Sequence, residues 1–202
     1  EMHRGNIAVI ASSNAIRNFG GGIISTYVSK YFVEIGGDTV ALGLMTSAAS
    51  IIQCFVLFLG GFIADYFGRR KILVLTAFYS VLFPLLYAII KDWRIFIAST
   101  IIAAFGVASN PASHAITADS ITPERRTTGI ASLQVISSLP IIFAPLIGGW
   151  LIKIYGLLDG FRLACIYTAV SILASALIIL FFLKETMQDR FGQKPKLLSK
   201  ET

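Results

Sequence analysis

"GGFIADYFGRRK", residues 60–71, sets an aspartate, two arginines and a lysine against strongly apolar sequence and punctuates them with three glycines. Residues 39–64 on one side carry no Asp, Glu, Lys or Arg, and neither do residues 72–90 on the other. Each run meets or nearly meets the roughly 20 residues that cross a bilayer as a helix, so the stretch reads as a polar junction between two spans.

Residues 95–113, 127–152 and 164–183 are charge-free in the same way. A further apolar run, from about Asn6 to Lys30, is interrupted by Arg17 alone. The 202 residues are 55% hydrophobic and 14% charged, with a mean hydropathy of +0.76, a balance that points to lipid as the solvent. The expected fold is an all-α membrane protein of six transmembrane helices, at about 6–33, 39–66, 71–90, 94–119, 127–154 and 161–184. Residues 1–186 then form one bundle, and 187–202, polar, basic and Pro-containing, begin a cytoplasmic linker.

Lys and Arg near helix ends favour the cytoplasm. One set of connections holds Arg4, Arg69, Arg70, Lys71, Arg125, Arg126, Lys184, Arg190, Lys194, Lys196 and Lys200, eleven in all, against five in the other set. Both ends of the chain and the 65–71 and 120–126 loops are therefore expected in the cytoplasm, in a cell (plasma) membrane. The net charge of +6 reads as topology, because no aromatic-plus-basic face for nucleic acid is present. Cys54 and Cys165 both fall within spans, without metal-ligand or redox spacing.

An internal repeat sharpens the picture. "GGFIADYFG" (60–68) matches "GGWLIKIYG" (148–156) at an offset of 88 residues. The second and fifth spans run in opposite directions, so the match implies two inverted three-helix repeats, an architecture of secondary transporters that hold substrate near the midplane. Chance similarity in Gly-rich apolar sequence is the alternative.

Gly61, Asp65, Gly68, Arg69 and Arg70 stand at the spacing G-x-x-x-D-x-x-G-R-[RK], and in this the chain resembles the N-terminal six-helix half of a major facilitator superfamily transporter. The resemblance runs from about Asn6 to Thr186 and includes "ADSITPERRTTG" and "FLKET". It implies a second six-helix half on the same polypeptide, a small-molecule substrate with a coupling proton or ion, the bilayer as surroundings, and rocker-switch alternating access. It also implies that Arg69 meets Asp119 at the end of the fourth span and that Asp65 faces the second half, closing the cytoplasmic side. A plain topology signal is the other reading of Arg69, Arg70 and Lys71. Gly61 is expected to admit a neighbouring helix, Gly68 to take a positive φ, and Asp65 to pair with Arg69 four residues on.

The chain also departs from the family pattern. Tyr66 stands where a basic residue is common, Ile102 stands four residues before Gly106 where the family places an arginine, and "APLIGG", with Ala144 and Pro140, is a weak match to the antiporter signature.

Arg17 lies about 16 Å along the first helix, near the midplane, where a charge usually faces a cavity or a partner. Asn14, Arg17, Asn18 and Gly21 share one helical face. Arg17 could receive an anionic substrate, pair with a carboxylate of the second half, or be satisfied locally by Asn side chains and carbonyls. Asn110, His114 and Thr117 recur on the fourth span, where Pro111 releases a carbonyl and His114 could carry a proton or simply pack. Gln53 and Gln134, assigned to corresponding positions of the two repeats, are further cavity candidates or interhelical hydrogen bonders. Tyr27 and Tyr31 are expected in the interfacial aromatic belt.

No phosphate loop, HExxH, or nucleophile with a base is found, which argues against an enzyme and for a carrier without cofactor or metal. A six-helix half that works as a dimer and a non-transporting scaffold remain alternatives.

Overall fold

The computed structural model describes residues 2–122 and 126–183, and the linker, Arg125, Lys184 and most of "FLKET" lie outside them. The described residues form helices throughout: α1 (Met2–Ser25), α2 (Val28–Glu34), α3 (Thr39–Phe67), α4 (Arg69–Ile89), α5 (Trp93–Ala103), a 3-10 segment (Ala104–Ser109), α6 (Asn110–Asp119) and α7 (Arg126–Phe182).

Among them, four helical stretches are long and apolar enough to cross a membrane: Thr39–Phe67, Arg69–Ile89, Trp93–Asp119 and Arg126–Phe182. The last, at 57 residues, would run roughly 85 Å if straight, far beyond the ~30 Å hydrocarbon core. It folds back at Gly156 (φ 81°, ψ 171°), which separates an incoming arm, 126–155, from a returning arm, 157–182. Gly160 then lies against the backbone of Leu151 and Ile152, a contact possible only across a hairpin. The first span does not match the others in apolarity. Arg17 and a run of Ser, Asn and Gly keep α1 out of that set, and the chain kinks at Tyr27 before α2.

Local signals explain the boundaries. Asp38 caps α3 by accepting from the Ala41 N–H at 2.6 Å, and Asp92 caps α5 by accepting from the Arg94 N–H at 2.8 Å. Gly68 divides α3 from α4 with φ 98° and ψ 129°, close to the conformation of Gly156. A positive φ of this kind is readily available to glycine alone.

The inverted repeat is visible in packing. A Cβ on Gly60 would strike the Ala108 carbonyl in the 3-10 segment, and a Cβ on Gly148 would strike the Ile23 carbonyl of α1. The second span thus crosses the fourth as the fifth crosses the first. Small residues permit such backbone approach, which is what holds helices together when lipid is as apolar as the core. The close contact belongs to Gly60, however, and not to Gly61 as expected, whose nearest neighbour would be Pro111 at 3.9 Å.

Two buried clusters fill the bundle. One is aromatic, built on Tyr31, Phe32, Phe83, Tyr87, Phe96 and Phe161. The other is aliphatic, built on Ile10, Ile72, Leu73, Ile116, Ile179 and Leu183, and lies near the charged junction. Tyr31 is fully buried and stacks on Phe161 at 4.1 Å, so it does not belong to an aromatic belt. Tyr27 is half-buried and donates to the Pro145 carbonyl at 3.0 Å.

Candidate functional site

At the charged end, the turn at Gly68 delivers Arg69 between two carboxylates. Its Nε donates to Asp65 Oδ1 at 3.2 Å, one turn back across the junction, and Nη1 donates to Asp119 Oδ2 at 2.6 Å, at the end of α6. The side chains of Asp65 and Asp119 are 65% and 53% exposed, so this clasp is wet. Arg70 turns the other way and donates from Nη2 to the Leu180 carbonyl at 2.8 Å, in the last turn of the returning arm. Carbonyls there lack helical partners, and an arginine is a fitting cap. Tyr66 is exposed and packs edge-on against Phe67, with ring centroids 5.0 Å apart.

Along α1, glycines sort the faces. Gly20 is pressed on Ser171 and Gly22 on Ala144, whereas Gly21 has open space where its Cβ would be. Arg17, four residues before Gly21, shares that open face and is half-buried. No hydrogen bond or ion pair joins Arg17 to another described residue, so the local satisfaction considered for it is not found. Asn18 is used otherwise: its Nδ2 donates to the Ser137 carbonyl at 2.9 Å and ties α1 to the incoming arm.

A cavity of about 40 Å³ lies between α1, α6 and the incoming arm, with Asn14, Ser113, His114, Thr117, Gln134 and Ser137 supplying its polar wall. Four of the expected residues, Asn14, His114, Thr117 and Gln134, meet here. A water needs on the order of 10–15 Å³ of such volume, so the space suits a few waters. Arg17 is not part of its wall.

Other expectations resolve differently. Asn110 opens α6, and its N–H donates to the Val107 carbonyl, the group that Pro111 cannot serve. The break is therefore closed locally by the 3-10 segment, and no free carbonyl results. Gln53 is exposed and away from the cavity. The offset of 88 takes it to Ile141 rather than Gln134, so the two glutamines are not equivalent positions.

Sequence reasoning did not single out Ser113 and Ser137, nor the Asp159–Arg162 pair (3.0 Å) whose guanidinium lies beside the Tyr31 hydroxyl. Ser137 follows Gln134 at a helical i, i+3 spacing, a signal that could have found it.

The family model described as "Major Facilitator Superfamily" matches residues 10–200. The mouse "Major facilitator superfamily domain-containing protein 10" is 32% identical over 109 residues, 54% of this chain and 24% of that protein. A Na(+), Li(+), K(+)/H(+) antiporter of Planococcus maritimus is 27% identical over 180 residues, 86% of this chain and 41% of that protein. Among solved structures, the human organic anion transporter MFSD10 (TETRAN) superposes with a TM-score of 0.71 at 22% identity, covering 93% of this chain and 49% of that one. A bacterial homolog to the human lysosomal transporter Spinster, inward-facing and occupied, gives 0.67 at 16% identity over 87% and 48%. The chain spans about half, or less, of the length of each of these proteins.

Proposed function

Because this chain belongs to the major facilitator superfamily, a family of membrane transporters rather than enzymes, we propose that it is the N-terminal half of a secondary carrier that moves a small anion by alternating access. A second six-helix half of the same polypeptide completes the solute pathway, and the two halves rock about the site between them. The excess of Lys and Arg in one set of connections supports cytoplasmic ends and a plasma-membrane orientation.

Arg17 is the observation that carries the anion. It is a charge near mid-span, half-buried on the open face of α1, with no partner among the described residues. An intramembrane arginine needs a counter-charge, and a carboxylate or phosphate solute matches its fork of donors. The fold likeness to an organic anion transporter supports the same reading. The exposed Arg69–Asp65–Asp119 clasp serves as the cytoplasmic closure.

A second reading, exchange of a monovalent cation for a proton, is favoured by the antiporter relative. Proteoliposomes of the full-length transporter separate the two. Succinate, glutamate, phosphate and sulfate are offered against sodium and potassium chloride, wild type beside Arg17→Ala. The anion reading expects an anion to move and its affinity to fall by about 30-fold or more in Arg17→Ala, the 2 kcal/mol or more lost when one partner of a buried charge pair is truncated. Cation flux untouched by the substitution supports the exchanger. No flux of any probe leaves a non-transporting bundle.

A further inference from the structure

His114 sits five residues before Asp119, so about 8 Å from the charged end of its span. It shares the small cavity with two amides, Asn14 and Gln134, and with the hydroxyls of Ser113, Thr117 and Ser137. His114 and Gln134 are exposed, so the cavity opens on the surface of this bundle instead of being sealed inside it. Hydroxyls and amides at this volume hold water, and water chains carry protons. Imidazole is the side chain whose ordinary chemistry exchanges a proton near neutral pH.

No carboxylate, amine or guanidinium faces the ring from the described elements packed around it. The fourth span has no charged side chain between Arg94 and Asp119, and the fifth has none between Arg126 and Lys153. The second has none before Asp65, and the third none after Lys71. On α1 the nearest charge is Arg17, about one turn beyond Asn14 and outside the cavity wall. Asp119 is engaged by Arg69. In depth the imidazole lies between Arg17 and the charged end, and among the described residues no fixed counter-ion faces it.

We propose that His114 is the proton site of this carrier, loaded through the water of that cavity, and that its proton is taken up together with the anion. The proposal rests on the anion reading of Arg17 for its coupling, and on the cavity alone for the proton. Binding forms an N–H bond on the free ring nitrogen and breaks an O–H bond of hydronium in the cavity, which leaves as water. The imidazolium adds a second positive charge beside the path and raises affinity for an anion. By linkage, the bound anion raises affinity for the proton by the same factor.

Two measurements on the full-length transporter in lipid bilayers test this. With ¹⁵N-labelled histidine, the difference between wild type and His114→Asn isolates the His114 ring. The ring is expected to become doubly protonated as the medium is acidified, and a ring that stays neutral throughout overturns the site. In vesicles with a trapped pH dye, succinate, glutamate, phosphate or sulfate should bring protons with it in wild type. His114→Asn and His114→Gln should bind the anion more weakly and should lower the number of protons moved per anion by about tenfold. Wild-type proton movement in both variants overturns the coupling role. If none of the four anions moves while the ring titrates, the anion reading fails and the proton site stands.

Discussion

At one end of the bundle Arg69 reaches two carboxylates, at 3.2 and 2.6 Å, that are more than half exposed. At the other end Tyr31 is fully buried, stacked on Phe161 at 4.1 Å, and donates its hydroxyl to the Ile90 carbonyl at 2.7 Å. The offset of 88 that relates Gly68 to Gly156 also relates Tyr31 to Asp119. Equivalent positions in the two repeats thus hold a wet acid in one and a dry aromatic in the other. Exposed ion pairs are worth about 0.2–1 kcal/mol and exchange partners readily. Truncating a buried aromatic costs about 3–5 kcal/mol. The backbone repeat makes the two ends alike in geometry, while side-chain chemistry leaves one weakly held and the other firm.

The strongest challenge to the common backbone is substitution at its crossings. Gly60→Leu and Gly148→Leu should both abolish folding, because the obstacle is a backbone carbonyl in each case. The penalty should exceed the roughly 1–3 kcal/mol of ordinary overpacking. Folded yield by size-exclusion chromatography in detergent checks this, and tolerance at one site alone would break the equivalence of the repeats.

Next in size is the aromatic end. Phe161→Ala should lower thermal stability by about 3 kcal/mol, since it removes the ring that covers Tyr31. A loss no larger than that of a surface change would show the aromatic end to be no firmer than the charged one.

At the charged end, Arg69→Gln should cost under about 1 kcal/mol of stability and act on opening instead. Thiol labelling of a cysteine placed beside Asp65 should speed up in the variant. Raising salt toward 1 M should speed the wild type in the same direction, as the Debye length shrinks to about 3 Å. Salt-independent labelling would show that charge does not hold this end.

Smallest of all, Arg162→Gln should change stability by only about 0.2–0.5 kcal/mol, because its partner Asp159 is exposed and lies one turn away on the same helix. A larger loss would mean that the contact with Tyr31 carries weight of its own.

Much of this was legible in sequence. Charge-free runs marked the apolar stretches. Gly68 was expected to turn the chain, and the family resemblance implied the meeting of Arg69 with Asp119. Other features were not legible. Gly60 and Gly61 are the same letter to a reader of the sequence, and only the crossing with the 3-10 segment shows which one is pressed on a backbone. Tyr31 was placed by analogy with interfacial tyrosines, whereas the fold buries it. Asn18 was read as cavity-facing and is consumed by the Ser137 carbonyl.

The sequence by itself determined the all-α membrane fold and the family, because these depend on local composition, on glycine conformation and on the length needed to cross lipid. Tertiary structure alone decided which face of each helix meets protein, which polar groups satisfy one another and which three helices leave a polar-walled cavity beside His114. The reason is the solvent: in lipid both the buried and the outward faces of a helix are apolar, so the periodic contrast that marks a core face in water is faint, and contact between helices selects the face instead.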